Sequence, residues 1–122
     1  MIKLYRSKYE YDAVSFDNGS TAIGLGIPVV VTAGKLAASA TPEYITLQPC
    51  LANEKDCIVH RINKDELYSM PLSAAGTSLT VGSTVTITTD GEATATTTSG
   101  IFKIEEFLGG KAIGDIVVGR FI

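Results

Sequence analysis

The stretch that decides the fold is Thr84-Val85-Thr86-Ile87-Thr88-Thr89-Asp90-Gly91-Glu92-Ala93-Thr94-Ala95-Thr96-Thr97. Two alternating, threonine-rich runs flank an Asp-Gly pair. An Asp-Gly pair between alternating runs is the strongest short-range signal for a β-hairpin, because a two-residue primed turn needs positive φ at its centre. That reading sets Ile87 opposite Thr94 and Thr86 opposite Ala95. Val85 and Ile87 then share one face, and a threonine ladder covers the other. Threonine favours strands and tolerates water, so such a face suits solvent or a wet interface.

Downstream of the hairpin, residues 101–107 continue as a strand. Leu108-Gly109-Gly110-Lys111-Ala112-Ile113-Gly114 reads as a loop. Ile116-Val117-Val118-Gly119-Arg120-Phe121-Ile122 closes the sequence as a strand that is apolar on both sides. A strand of that kind belongs in the middle of a sheet. Upstream, the glycines at 24 and 26 break any helix, and Val29-Val30-Val31 reads as a buried strand. Residues 35–40 read as a loop or short turn. Residues 44–48 form a strand that ends before Pro49. Residues 57–62 and 66–70 read as two strands, with a helix over 54–68 as the alternative, since Ile58, Val59, Ile62 and Leu67 only loosely fit a helical stripe.

The first 22 residues differ from the rest. Tyr5, Tyr9 and Tyr11, three of the five tyrosines, stand here among charges. Ile2, Leu4 and Arg6 alternate with Lys3, Tyr5 and Ser7, a pattern that permits an extended strand. Asn18-Gly19 then marks a turn; the Asn18-Gly19-Ser20 sequon is read as that turn and not as a glycosylation site. The expected organisation is therefore an N-terminal arm over residues 1–22 and a single β domain over residues 23–122. Ile2, Leu4, Tyr5, Tyr9 and Tyr11 are the candidate partner-binding residues of the arm, because tyrosine gives large contact area at low entropy cost. The alternative is that the arm is the first strand of the domain's own sheet. The fold class expected is all-β: a small β-barrel, β-tulip-like or β-sandwich domain.

Composition narrows the function. The chain has 122 residues, the size of one domain, and needs no staples to build a core. It lacks tryptophan and has a net charge of −3, with Lys3, Arg6 and Lys8 followed at once by Glu10 and Asp12. No basic stripe of the kind that displaces counterions from phosphates is present, so no nucleic-acid partner is expected. Neither an apolar leader nor a membrane-spanning run is read in the sequence.

Catalytic chemistry finds little to stand on. His60 is the one histidine, three residues after Cys57. On a strand, residues three apart face opposite ways, so the pair cannot act as nucleophile and base, whereas on the alternative helix they could meet. Cys50, Cys57 and His60 match no zinc-finger spacing, and the two cysteines are read as free thiols. Gly24-Leu25-Gly26 and Gly109-Gly110-Lys111 lack the residues that complete a phosphate loop. The expectation is no enzyme, no catalytic residue, no metal, no cofactor and no small-molecule substrate.

The residues Leu79-Thr80-Val81-Gly82-Ser83-Thr84-Val85-Thr86-Ile87, Asp90-Gly91, Ala95-Thr96-Thr97-Thr98-Ser99-Gly100 and Gly114-Asp115-Ile116-Val117-Val118 form a pattern. It resembles the capsid decoration proteins of tailed bacteriophages, also called head-stabilising or cement proteins. The resemblance covers roughly residues 76–122, with weaker support from the arm and from Val29–Val31. It implies a compact β-barrel or β-tulip fold and a homo-trimer on the outer capsid surface of the virion, made in the host cytoplasm. The implied partner is the major capsid protein, whose subunits it would bridge. The rival readings are a carbohydrate-binding β-sandwich, a small hydrolase or thiol enzyme built on Cys57 and His60, and a head-fibre or tail adaptor.

Replacing Gly91 by valine is expected to destabilise the domain by about 2 kcal/mol or more, since a β-branched residue resists positive φ. Thermal or urea unfolding of the variant checks this; an unchanged midpoint would contradict the turn.

Overall fold

A computed structural model describes residues 1–6 and 12–122. The described chain is all-β, with ten strands in two sheets. They are β1 (Lys3–Arg6), β2 (Ala13–Asn18), β3 (Pro28–Thr32), β4 (Lys35–Ala38), β5 (Tyr44–Thr46), β6 (Cys57–Arg61), β7 (Leu67–Pro71), β8 (Thr84–Val85), β9 (Phe102–Leu108) and β10 (Ile116–Phe121). Strands β2-β4-β3-β5-β6 close into a barrel, and β1-β7-β10-β9-β8 form a five-stranded sheet. Only the β2–β4 pair is parallel among the described ladders.

The barrel grows from the valine run. Val29 is fully buried and packs with Ile23, Leu36, Cys50, Cys57 and Val59. Residues 35–40, expected as a loop, contain β4. Ala33 and Gly34 both take positive φ (50° and 77°), which makes a two-residue hairpin with Thr32 opposite Lys35. The primed turn twists with its strands, and an alanine in its first position hides the signal that Asn or Asp would carry. The strand reading of residues 57–62 and 66–70 holds, as β6 and β7; the helix alternative does not.

The second core lies against the five-stranded sheet. Tyr68, Met70, Leu72, Phe102, Ile104 and Val117 are fully buried there. Tyr68, Phe121 and Phe102 form a chain of edge-to-face contacts, each with centroids 5.3 Å apart. Strand β10 lies between β7 and β9, as its two-sided apolar pattern requires. Val117 faces the core while Val118, on the other face, is also buried. Ile45 of the barrel strand β5 joins this core, so the two sheets share it.

The Asp90-Gly91 turn exists, but its register differs from expectation. Ile87 pairs with Ala93, not with Thr94. Gly91 alone takes positive φ (81°), whereas a primed two-residue turn needs it at both centres. The Thr88 hydroxyl accepts from the backbone N–H groups of Asp90 and Glu92, at 3.3 and 3.1 Å. That side chain holds the loop at three residues. Of the expected threonine ladder, Thr86 and Thr94 meet hydroxyl to hydroxyl at 2.7 Å. Val85 and Ile87 do point inward together.

The N-terminal arm requires correction for its described residues. Strand β1 pairs with β7, with Lys3 opposite Ser69 and Leu4 opposite Tyr68. Ile2 is 2% exposed and belongs to the shared core, with Leu4 packed against it. The Ile2 N–H donates to the Gly26 carbonyl at 2.8 Å, tying the sheet to the barrel. Residues 13–18 are barrel strand β2. The segment is extended because it is a sheet strand, and Ile2 gains more by filling the seam than by lying on a surface.

Ile2→Ala is therefore expected to cost about 2–4 kcal/mol of stability, the usual range for emptying a buried isoleucine site. Chemical denaturation measures it; a loss under about 0.5 kcal/mol, the size of a surface substitution, would return the segment to the surface.

Candidate functional site

Of the five candidate partner-binding residues, the structure buries Ile2 and half-buries Leu4. Tyr5 is 38% exposed on β1. Tyr9 and Tyr11 lie outside the described residues. Ile2 is taken up by the core, and Leu4 packs against that core while keeping part of its surface exposed.

Cys57 and His60 diverge, as strand geometry demands. Along β6, Cys57 and Val59 face the barrel interior, and His60 faces the five-stranded sheet. His60 is 1% exposed, and its Nε2 lies 3.0 Å from the Tyr68 hydroxyl. That hydroxyl accepts the Asn63 backbone N–H at 3.0 Å, so its own proton is available to His60. Glu66, also 1% exposed, brings Oε2 to 3.4 Å from the same Nε2. A neutral ring can receive the Tyr68 proton there, and a protonated ring can donate toward Glu66. Burial pushes the His60 pKa below its ordinary value, against the opposing pull of Glu66 and Asp12. Burial, helped by Glu66, pushes the Tyr68 pKa up to about 12. Tyr68 therefore stays protonated and cannot serve as a base near neutrality.

Sequence reasoning missed Glu66 and Tyr68. They meet His60 only because β6 and β7, in different sheets, bring their ends together across the turn at residues 62–66. No spacing signals that junction. A cleft of about 460 Å³ reaches it, with Met1, Lys3, Leu25 and Thr46 on its walls.

A second opening lies along the other side of the seam. A groove of about 400 Å³ has Tyr44 and Ile62 from the barrel side facing Ile101, Phe121 and Ile122 from the sheet. Arg61, Lys64 and Glu43 contribute charges to it. Ile122 is 53% exposed. No histidine or cysteine lines this groove, so its chemistry is that of contact: apolar walls with charged groups among them.

The Asn18 side chain is fully buried and donates to the carbonyls of Leu51 (2.9 Å) and Thr21 (3.0 Å). It acts as a turn fastener, which agrees with the reading of the sequon as a turn. Compared with models of known protein families and with curated proteins, the chain finds no match.

The His60 shift sets a pH dependence. A histidine whose folded pKa lies below its unfolded value near 6.5 leaves the unfolded state binding more protons. Its contribution to stability is complete above that pH and falls as pH drops through it. Wild-type melting temperature should decline below about pH 6.5, and His60→Gln should flatten that decline. Equal slopes in both proteins would contradict the assignment.

Proposed function

We propose that this chain is a structural capsid decoration (cement) protein that binds the outside of a phage head and bridges major capsid subunits as a homo-trimer. The observation that carries the reading is the apolar groove formed by Tyr44, Ile62, Ile101, Phe121 and Ile122. Exposed apolar surface edged by charge is the usual mark of a protein contact. An extended segment of the capsid protein would lay apolar side chains between Tyr44 and Ile122, with its polar groups toward Arg61 and Lys64.

The residues of the resemblance support this reading through the demands of the fold. Gly82, Gly91 and Gly114 all take positive φ, and Leu79, Val85, Ile87 and Val117 all enter the core. A chain of net charge −3 also suits the outer face of a head, where no packaged phosphate needs neutralising.

Sedimentation of purified protein with undecorated heads tests the proposal. Ile122→Glu and Lys64→Glu alter groove side chains without touching the buried core. Ile122→Glu should weaken head binding by about tenfold or more, the loss of one apolar anchor, at an unchanged melting temperature. Full binding by both variants would refute the groove as the contact. Failure of the wild type to bind heads, with glycan binding in its place, would refute the function.

A further inference from the structure

We propose that Cys50, Glu54 and Cys57 form a binding site for a thiophilic divalent cation of the zinc class. The two thiol sulfurs and one Glu54 carboxylate oxygen all lie within 4.8 Å of one another. The Cys57 thiol approaches Glu54 Oε2 at 3.3 Å. A tetrahedral zinc with metal–sulfur bonds near 2.3 Å and metal–oxygen bonds near 2.0–2.2 Å needs ligand atoms about 3.3–3.8 Å apart. The Cys57–Glu54 pair already stands at that spacing, and all three donor atoms lie within 4.8 Å.

The backbone holds the three residues in place. Cys50 and Ile23 exchange two backbone hydrogen bonds, at 2.7 and 2.8 Å. Cys57 opens β6, opposite Phe16 of β2. Between them the loop turns at Asn53 and Asp56, both at positive φ (59° and 57°). Asn53 donates to the Gly19 carbonyl at 2.7 Å, and the Glu54 carbonyl receives the Asn18 N–H at 2.8 Å. Asn18 Nδ2 secures Leu51 from below. A loop pinned at this many points presents its ligands in a set arrangement, which lowers the ordering cost of binding.

Donor chemistry selects the ion. Two sulfurs and one carboxylate favour zinc, cadmium or cobalt over magnesium or calcium, which require oxygen cages. The thiolate is the metal-binding form, and an ordinary thiol is protonated near neutrality. Binding one dication therefore releases two thiol protons to solvent while two metal–sulfur bonds and one metal–oxygen bond form. Affinity must rise steeply with pH. His60 faces away from the cluster, so the fourth ligand of a tetrahedral ion would be a solvent water entering past half-buried Glu54. This site does not depend on the capsid-binding reading.

The test is titration of the reduced protein with cadmium and with cobalt, followed by the sulfur-to-metal charge-transfer absorption, with zinc as competitor. One equivalent should bind, with affinity increasing between pH 6 and pH 8 (about a hundredfold per unit for two displaced protons). Glu54→Gln should weaken binding by at least about tenfold. Cys50→Ala and Cys57→Ser should abolish the absorption, and a circular dichroism spectrum separates ligand loss from unfolding. Should a cysteine variant fail to fold, Glu54→Gln and the proton count still decide. No absorption in the wild type, or a band unchanged by Glu54→Gln and by either cysteine variant, would overturn the proposal. So would a reduced protein that binds no metal yet oxidises to a Cys50–Cys57 disulfide.

Discussion

Everything in this domain depends on how closely the N-terminal strand can pass the barrel. Ile2 sits in the seam, its N–H bonded to the Gly26 carbonyl and its side chain in the shared core. Two glycines make the passage possible. A Cβ on Gly26 would collide with the Met1 side chain and come within 2.8 Å of the Ile2 carbonyl oxygen. A Cβ on Gly91 would stand 3.0 Å from the Gly26 carbonyl oxygen and 3.1 Å from Ile2 Cγ1. Gly26 belongs to the barrel side and Gly91 to the sheet side, and both take positive φ. The hairpin turn that is conspicuous in the sequence is thus also the wall against which the first strand closes.

This double duty explains what the sequence revealed and what it concealed. Val29–Val31 and the two-sided apolar run at 116–122 form strands where their patterns place them, with Val29 buried and Val30 and Val31 half-buried. The run at 57–62, for which a helix was the alternative, gives strand β6. The all-β class followed from them. In its described residues the N-terminal segment departs from the arm reading: its composition, with charges and tyrosines, is that of a surface, while Ile2 supplies the decisive burial. A single buried side chain leaves no periodic trace. The register of the 84–97 hairpin failed for a local reason: Thr88 spends its hydroxyl on the loop, a competition that propensity alone does not resolve.

The polar residues follow the same logic. The opposed directions of Cys57 and His60 were readable from strand alternation, since alternation is local. Their actual companions were not. His60 finds Tyr68 and Glu66 across the junction of two sheets, and Cys57 finds Cys50 and Glu54 across a loop fastened by Asn18. Those meetings are tertiary. They place a thiol cluster in the barrel and an imidazole cluster at the seam. The groove beside Ile122 opens along the same seam, so a partner that fills it would brace the joint that Ile2 closes from the other side.

The proposed role of the chain is to hold other protein subunits together. The most direct measurement is the native mass of the purified protein, taken alone and then after incubation with undecorated heads. The expected result is a trimer in solution and a saturable gain in head mass equal to a fixed number of trimers. A monomer that leaves the mass of the heads unchanged at micromolar concentration would contradict it.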